Sequence, residues 1–352
     1  MQFPYRPDNP PQPSAADGQA ERVRPRFAGN IQGQMPQSGQ SACKIEWILA
    51  KVFFMPALPH PTQPVAILPS LSREPIAESS VQLQRARGRG ELIIRNCNGV
   101  SSVERLYQQG CAKIRLPRRS DGVREAVLIN SSGGATGGDQ LDWSVQTEQD
   151  THTMVTTQAC ERVYKTPRVD DSSTVKPAVV NIELSVGKRA KLAWLPQETL
   201  FFDQGALART LTANLDDKGE LLIVEPIIFG RQAMGERVDC GELRDRWRIY
   251  RKGKLLHGED LVLTGDLARQ IAEPMILDGR CAIATLLFIS PRAEGFVNAL
   301  MQVADHQDGI SAWNGKLLAR VTAKDGYQLR KKLVAMINML NFEAPVPKVW
   351  SL

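Results

Sequence analysis

Two acidic residues five apart, Glu198 and Asp203 in WLPQETLFFD, are the first candidates for chemistry. Paired carboxylates can share general acid and base or nucleophilic roles in a hydrolase. His152, in THTMVTTQACERVYKT, could add a metal ligand or proton carrier, with Trp194, Phe201 and Phe202 as substrate walls. The same stretch also reads as an edge strand and a turn begun by Pro196. Cys160 has no histidine at a recognisable family spacing and no G-x-S-x-G elbow nearby, so it reads as a small buried residue.

A second candidate is LINSSGGATGGDQLD, residues 128–142, with the pairs Gly133–Gly134 and Gly137–Gly138. Glycine pairs allow positive φ and close backbone approach. A phosphate loop needs G-x-x-x-x-G-K-[ST] opening a helix, and a dinucleotide site needs G-x-G-x-x-G; neither is present. Asp139 closes the loop either as a turn brace or as a carboxylate ligand. Glu225 interrupts the apolar run LLIVEPIIF, and Glu259 raises the same question in LLHGEDLVL. A carboxylate in such a run needs a partner if buried. Arg244, Arg246 and Arg248 alternate along one strand and could neutralise such groups.

The elements that must position these residues are mostly strands. Period-two alternation marks 123–130, 141–147, 178–186, 192–194 and, less cleanly, 207–215. Further strands are expected at 220–229, 244–251, 255–263, 281–290 and 315–322. VGK at 186–188, DDKG at 216–219 and RKGK at 251–254 read as hairpin turns between antiparallel strands. Two helices are expected near the C-terminus. In 291–304, Phe296, Leu300 and Val303 share a face; in 327–341, Leu329, Leu333, Ile337 and Leu340 form a core stripe. The exposed remainder of that helix, with Arg330 to Lys332, is expected to meet a partner. The expected fold is therefore mainly β: antiparallel packed sheets with two helices near the C-terminus.

Composition narrows the function. The 352 residues carry 44 Lys and Arg against 38 Asp and Glu, a net charge of +6, without clustered basic runs. With aromatics at 6%, a nucleic-acid partner is not expected. No span reaches the ~18 apolar residues of a membrane helix, and no basic leader runs into an apolar segment. The six cysteines are far apart with no C-x-x-C pair, and the four histidines form no zinc motif, so reduced thiols and a cytoplasmic location are expected. Residues 1–84 hold 13 of the 22 prolines and are expected to be a disordered extension, or sequence upstream of the true start. Residues 85–352 are expected to form the folded, β-rich domain.

Taken in order, LINSSGGATGGDQLDWSV, TTQACERVYKT, LAWLPQETLFFD, EPIIFGRQAMGE, LRDRWRIY and the closing PKVW resemble the UreD (UreH) family of urease accessory proteins. YQQGCAKIRLP at 107–117 is similar to the family's N-terminal part. The resemblance implies a β-rich scaffold that is not an enzyme. It implies binding to apo-urease subunits and to a UreF-like protein, which recruits a UreG-like GTPase, for nickel insertion into urease. No cofactor is expected to be tightly bound; nickel would be in transit. On the resemblance, Asp139, Glu225 and Glu259 are the candidates for lining a nickel passage, because isolated carboxylates bind such an ion weakly and release it. The competing expectation is a metal-dependent hydrolase built on Glu198, Asp203 and His152.

Overall fold

The computed structural model describes residues 84–166, 176–231 and 234–351. The expectation of disorder before Arg85 lies outside the described residues, Gln84 apart. Strands run β1 (Arg87–Cys97), β2 (Val100–Gly110), β3 (Ala112–Arg115), β4 (Arg124–Asn130), β5 (Gln140–Thr147), β6 (His152–Thr157), β7 (Glu161–Val163), β8 (Ala178–Val186) and β9 (Lys191–Leu195). They continue with β10 (Thr199–Phe201), β11 (Ala206–Leu215), β12 (Glu220–Phe229), β13 (Cys240–Arg251), β14 (Lys254–Asp266), β15 (Ala282–Ile289), β16 (Gly309–Trp313) and β17 (Lys316–Ala323). The α-helices are α1 (Leu267–Ala272), α2 (Val297–Met301) and α3 (Gly326–Leu340).

Two sheets form. The first has the order β14-β13-β11-β8-β5-β1-β2; the second runs β16-β17-β15-β12-β9-β6-β4-β3, with β10 and β7 attached beside β12. The mainly β reading holds, but the sheets are mixed. The block β1, β5, β8, β11, β13 is parallel throughout, as is β4, β6, β9, β12. Antiparallel pairs flank these blocks.

The connections explain the difference. Segments 148–151, 187–190 and 216–219 do not fold a strand back beside itself. Each carries the chain from the first sheet to the second. In each, the third residue alone among them has positive φ: Asp150 (57°), Arg189 (57°) and Lys218 (55°). Successive corners stack, with the Asp150 N–H donating to Lys188 O (3.0 Å) and the Arg189 N–H to Asp217 O (3.2 Å). The parallel ladder thus continues around the bend. True hairpins carry two consecutive positive φ values, as type I′ turns require: Asn98–Gly99, Lys252–Gly253 and Asn314–Gly315. Of the three expected hairpin turns, only RKGK is one.

The first sheet buries one face. Trp143, Ile182, Leu184, Leu211 and Trp247 pack against Leu128, Val155, Leu192, Trp194, Ile223 and Leu287 of the second. The second sheet is covered on both faces, so β15 (AIATLLFI) is buried at every position. That is why its strands read as continuous apolar runs, whereas β5 and β8 alternate. Its far face carries α3, whose buried side chains are Leu329, Leu333, Met336, Ile337 and Leu340. Each such burial is worth about 1.5–3 kcal/mol against exposure. Asp325 caps α3 by accepting the Gln328 N–H at 2.8 Å. The expected helix at 291–304 is shorter: a 3-10 turn at Ala293–Phe296 leads into α2. Leu300 is buried there, with Phe296 and Val303 packed against the same core.

Candidate functional site

The most charged place in the interior lies between the sheets. Arg209 takes an inward position on β11, between Leu207 and Leu211, and is in register with Asp245 on β13. Its Nε meets Asp245 Oδ1 at 3.0 Å and its Nη2 meets Oδ2 at 2.5 Å. Its Nη1 crosses to Glu225 Oε2 on β12 at 2.5 Å. Two tryptophans complete the set: Trp194 Nε1 donates to Glu225 Oε1 (2.7 Å) and Trp247 Nε1 to Asp245 Oδ1 (3.0 Å). Burial, reinforced by the Asp245 charge, pushes the Glu225 carboxyl up; Arg209 and Trp194 pull against it. Glu225 is therefore internal and paired.

Its counterion is not the one expected. Arg244 and Arg248 lie on the open face of the first sheet and pair with Glu242 (2.7 Å) and Asp260 (2.6 Å). Arg209 did the work that sequence reading assigned to that triplet. The signal available was an arginine at an inward position of an otherwise apolar alternation.

A second buried pair ties α3 to the second sheet. Pro226 lacks an N–H where the neighbouring strand is interrupted between β9 and β10, and this break turns Gln197 and Glu198 inward. Arg330 meets Glu198 at 2.8 Å (Nε–Oε1) and 2.5 Å (Nη2–Oε2), and also donates to Gln197 Oε1. Its guanidinium lies 5.2 Å from the Trp350 ring centroid, and Trp350 Nε1 donates to Leu195 O at 3.0 Å. The Cys160 thiol donates to Glu198 Oε2 at 3.3 Å, and burial followed by the Glu198 charge pushes it up to about 11. A thiol held neutral in this way is no nucleophile. Lys332 is likewise engaged internally, at 2.7 Å from Asp305 and 2.8 Å from Asp308. The expectation that Arg330 to Lys332 form an outward face is corrected: of the three, only Lys331 is exposed.

The hydrolase constellation does not assemble. Glu198 is neutralised by Arg330. Asp203 accepts the backbone N–H groups of Asp239 (2.9 Å) and Cys240 (3.1 Å), a brace between β10 and β13. His152 begins β6 opposite Lys191, whereas Glu198 lies beyond Leu195, which is opposite Thr156. The two are thus at least four strand residues apart, about 13 Å. The His152 ring packs edge-on to Phe342 at 5.7 Å, and burial depresses it to about 4, leaving it neutral at physiological pH.

Asp139 braces the glycine-rich loop: Oδ1 accepts the Ala86 N–H (2.7 Å) and Oδ2 the Thr136 N–H (2.8 Å). The N–H groups of Gly133, Ala135 and Gly138 are also used, by Asn130 O, Arg162 O and Pro177 O. That leaves little of the loop's backbone to cradle a phosphate. Gly137 is required by contact, since a Cβ there would lie 2.2 Å from Thr166 Cγ2 and 2.4 Å from Lys176 O. Gly137→Ala is expected to lower stability by about 1–3 kcal/mol, because the carbonyl cannot swing aside. Gly295→Ala, in open space, is expected to be near neutral. Urea midpoints of both variants check the contrast.

Glu259, on β14, pairs with Arg320 of β17 at 2.7 Å and lies 3.9 Å from His257 Nε2. Asp139, Glu225 and Glu259 therefore sit on three different elements with three separate sets of partners. Among the described residues no group of three or more His, Cys, Asp or Glu is placed to hold a metal ion, and no helix is long and apolar enough to cross a membrane.

Fold and interior together define a mainly β protein of two mixed sheets with ion-paired charges built into its core. A family model described as UreD urease accessory protein matches residues 86–351. The urease accessory protein UreD of Agrobacterium fabrum is 48% identical over 276 residues, covering 78% of this chain and 95% of that protein. Its counterpart in Rhizobium leguminosarum bv. viciae is 46% identical over 275 residues, covering 78% and 98%. That of Mesorhizobium japonicum is 45% identical over 273 residues, covering 76% and 95%. The chain belongs to the UreD family of urease accessory proteins.

Proposed function

We propose that this chain serves urease maturation in the cytoplasm as a scaffold with no catalysis of its own. It binds the apo-urease subunits and a UreF-like protein, through which a UreG-like GTPase joins, while nickel passes to the urease active site. The family match across 86–351 is the observation that carries this reading. The interior supports it: the carboxylates that a hydrolase would use are held by Arg330 and by backbone donors. The described cysteines are all unpaired thiols, in keeping with a reducing compartment.

Asp139, Glu225 and Glu259 remain the candidates for contact with nickel in transit. Each already has hydrogen-bond partners, so a passing ion competes with Arg209, Arg320 or backbone N–H groups and is released readily. Nickel(II) accepts such oxygen donors without needing a closed cage. On this reading no cofactor is tightly bound, and nickel is cargo in transit.

The test is urease activation in a ureolytic host lacking the endogenous gene, complemented with D139N/E225Q/E259Q. The expected outcome is a loss of activation of tenfold or more, with co-purification of the urease subunits retained. Full activation by a soluble, partner-binding triple variant removes these residues from the mechanism. Normal urease maturation in the deletion strain itself overturns the scaffold reading, as does turnover of ester or amide substrates by the purified chain with nickel.

A further inference from the structure

The two strongest sequence motifs meet at one hollow that the proposed function does not use. About 260 Å³ in volume, it lies beneath the glycine-rich loop and is lined by Asn130, Gly133, Gly134, Trp143, Cys160 and Glu161, among others. LINSSGG supplies one wall and TTQACER the other, while Trp143 closes it from the first sheet. Tyr164 stands half-exposed at the same loop, its hydroxyl donating to Gly133 O at 3.2 Å.

Glu161 is one of several partly buried carboxylates with no cationic partner among the described residues, Asp142 and Glu220 being others, and of these three it is the one that lines the hollow. Among the described residues, Glu125 is paired with Arg119, Glu198 with Arg330, Glu225 and Asp245 with Arg209, and Asp308 with Lys332. Asp139 has two backbone donors. Glu161 is largely buried, yet no described cationic side chain pairs with it. Its donors are Asn130 Nδ2 at 3.1 Å and the Arg162 backbone N–H. Asn130 has nothing more to give: its amide also donates to Gly134 O (3.1 Å), and its oxygen accepts from Ser132. A carboxylate offers about four acceptor sites, so half of its capacity is unmet.

We propose that this hollow is a receptor for a guanidinium group, the side chain of an arginine carried by a partner protein, seated against the Glu161 carboxylate and the Trp143 indole. A guanidinium matches both walls: it pairs bidentately with a carboxylate and lies flat on an aromatic ring. The ion pairs of Arg209 and Arg330 within this fold use the same chemistry, each with an indole nearby. The inference rests on the reading of the chain as a binding scaffold and names one anchor point of that binding.

The pH dependence follows. Burial, with the Asp139 charge adding to it, pushes the Glu161 carboxyl up to about 7. The other titratable or charged groups about it are Cys111, from the turn between β2 and β3, and Cys160 and Arg162 on its own segment. Only the carboxylate attracts a cation. Affinity should therefore rise about tenfold per unit below pH 7 and level off above it.

The experiment follows the Glu161 side-chain carboxyl and the Trp143 indole by NMR in the full chain. N-acetylarginine amide is titrated against its uncharged isostere N-acetylcitrulline amide at pH 8 and pH 6. The expected result is a saturable shift with the arginine amide only, about tenfold weaker at pH 6 and absent in Glu161→Gln. An equal response to the citrulline amide, or no saturable response, overturns the proposal. So does a carboxyl signal that answers to nickel chloride and not to the arginine amide. In parallel, Glu161→Gln should reduce co-purification of the urease subunits and accessory partners tenfold or more. Binding of the free amide with unchanged co-purification assigns the hollow to a small guanidine compound and overturns the protein-borne arginine. Neither titration depends on urease maturation, so a failure here is separable from a failure of the scaffold reading.

Discussion

Arg209→Met lowers the stability of the domain by about 3–5 kcal/mol, the penalty for stranding buried charge. The magnitude follows from what remains. Glu225 and Asp245 are 3% and 5% exposed, and without the guanidinium each retains only an indole N–H among its strong donors. Glu225→Gln takes the opposite course. It keeps an oxygen acceptor, removes the surplus negative charge, and leaves Arg209 and Asp245 as a one-to-one bidentate pair; its cost is expected to be about 1 kcal/mol or less. Urea unfolding of both variants separates the outcomes. The pH trend is a second readout. Glu225 is already raised above its ordinary value by burial, and losing Arg209 raises it further. A raised carboxyl binds its proton more tightly in the folded state, so that contribution favours folding as pH falls. The deficit of Arg209→Met should shrink between pH 8 and pH 5. A cost under about 1 kcal/mol that does not change with pH would show that the guanidinium is dispensable to the sheet interface.

What the sequence made legible was whatever depends on one strand or helix at a time. The alternation over 178–186 and the stripe Leu329, Leu333, Ile337, Leu340 reappear as the buried faces of β8 and α3. Strand direction was not legible, because alternation is identical in parallel and antiparallel ladders. The information sat in the corners: 148–151, 187–190 and 216–219 each carry one positive-φ residue and change sheet, the Lys252–Gly253 hairpin carries two, and DDKG and RKGK look alike on paper. The charged interior was half legible. Glu225 announced itself by breaking an apolar run, but Arg209 is 16 residues distant from it in sequence and Arg330 is 132 from Glu198. Pairing at such separations is set by the packing of sheets and helix, which no local spacing encodes. Glu161 was hidden for the same reason: what singles it out is its place in the hollow beneath the glycine-rich loop, with no described cation paired to it.

The Arg330 pair yields the second large effect, and it links the C-terminus to the middle of the fold. Arg330→Met strands Glu198, which is 3% exposed, beside a neutral thiol, and should cost about 3–5 kcal/mol. Trp350→Ala should cost about as much, since a fully buried indole and its bond to Leu195 O are both lost. The two losses should not add. The Trp350 ring is one wall of the Arg330 site, and the segment from Asn341 reaches it by a turn in which Asn341 Nδ2 donates to Ala344 O (3.1 Å) and Pro345 O (3.3 Å). Once either partner is removed, the closing segment no longer holds the guanidinium against the break between β9 and β10. A double-mutant cycle is expected to give a coupling of about 1–2 kcal/mol; strict additivity would mean that the segment and the ion pair are independent. The coupling bears on function because Cys160, bonded to Glu198, neighbours Glu161 in the chain and lines the same hollow. Loosening the C-terminal clasp should therefore weaken arginine-amide binding at Glu161 even though Arg330 and Trp350 do not line that hollow. Unchanged amide affinity in a folded Trp350→Ala variant would confine the clasp to stability alone.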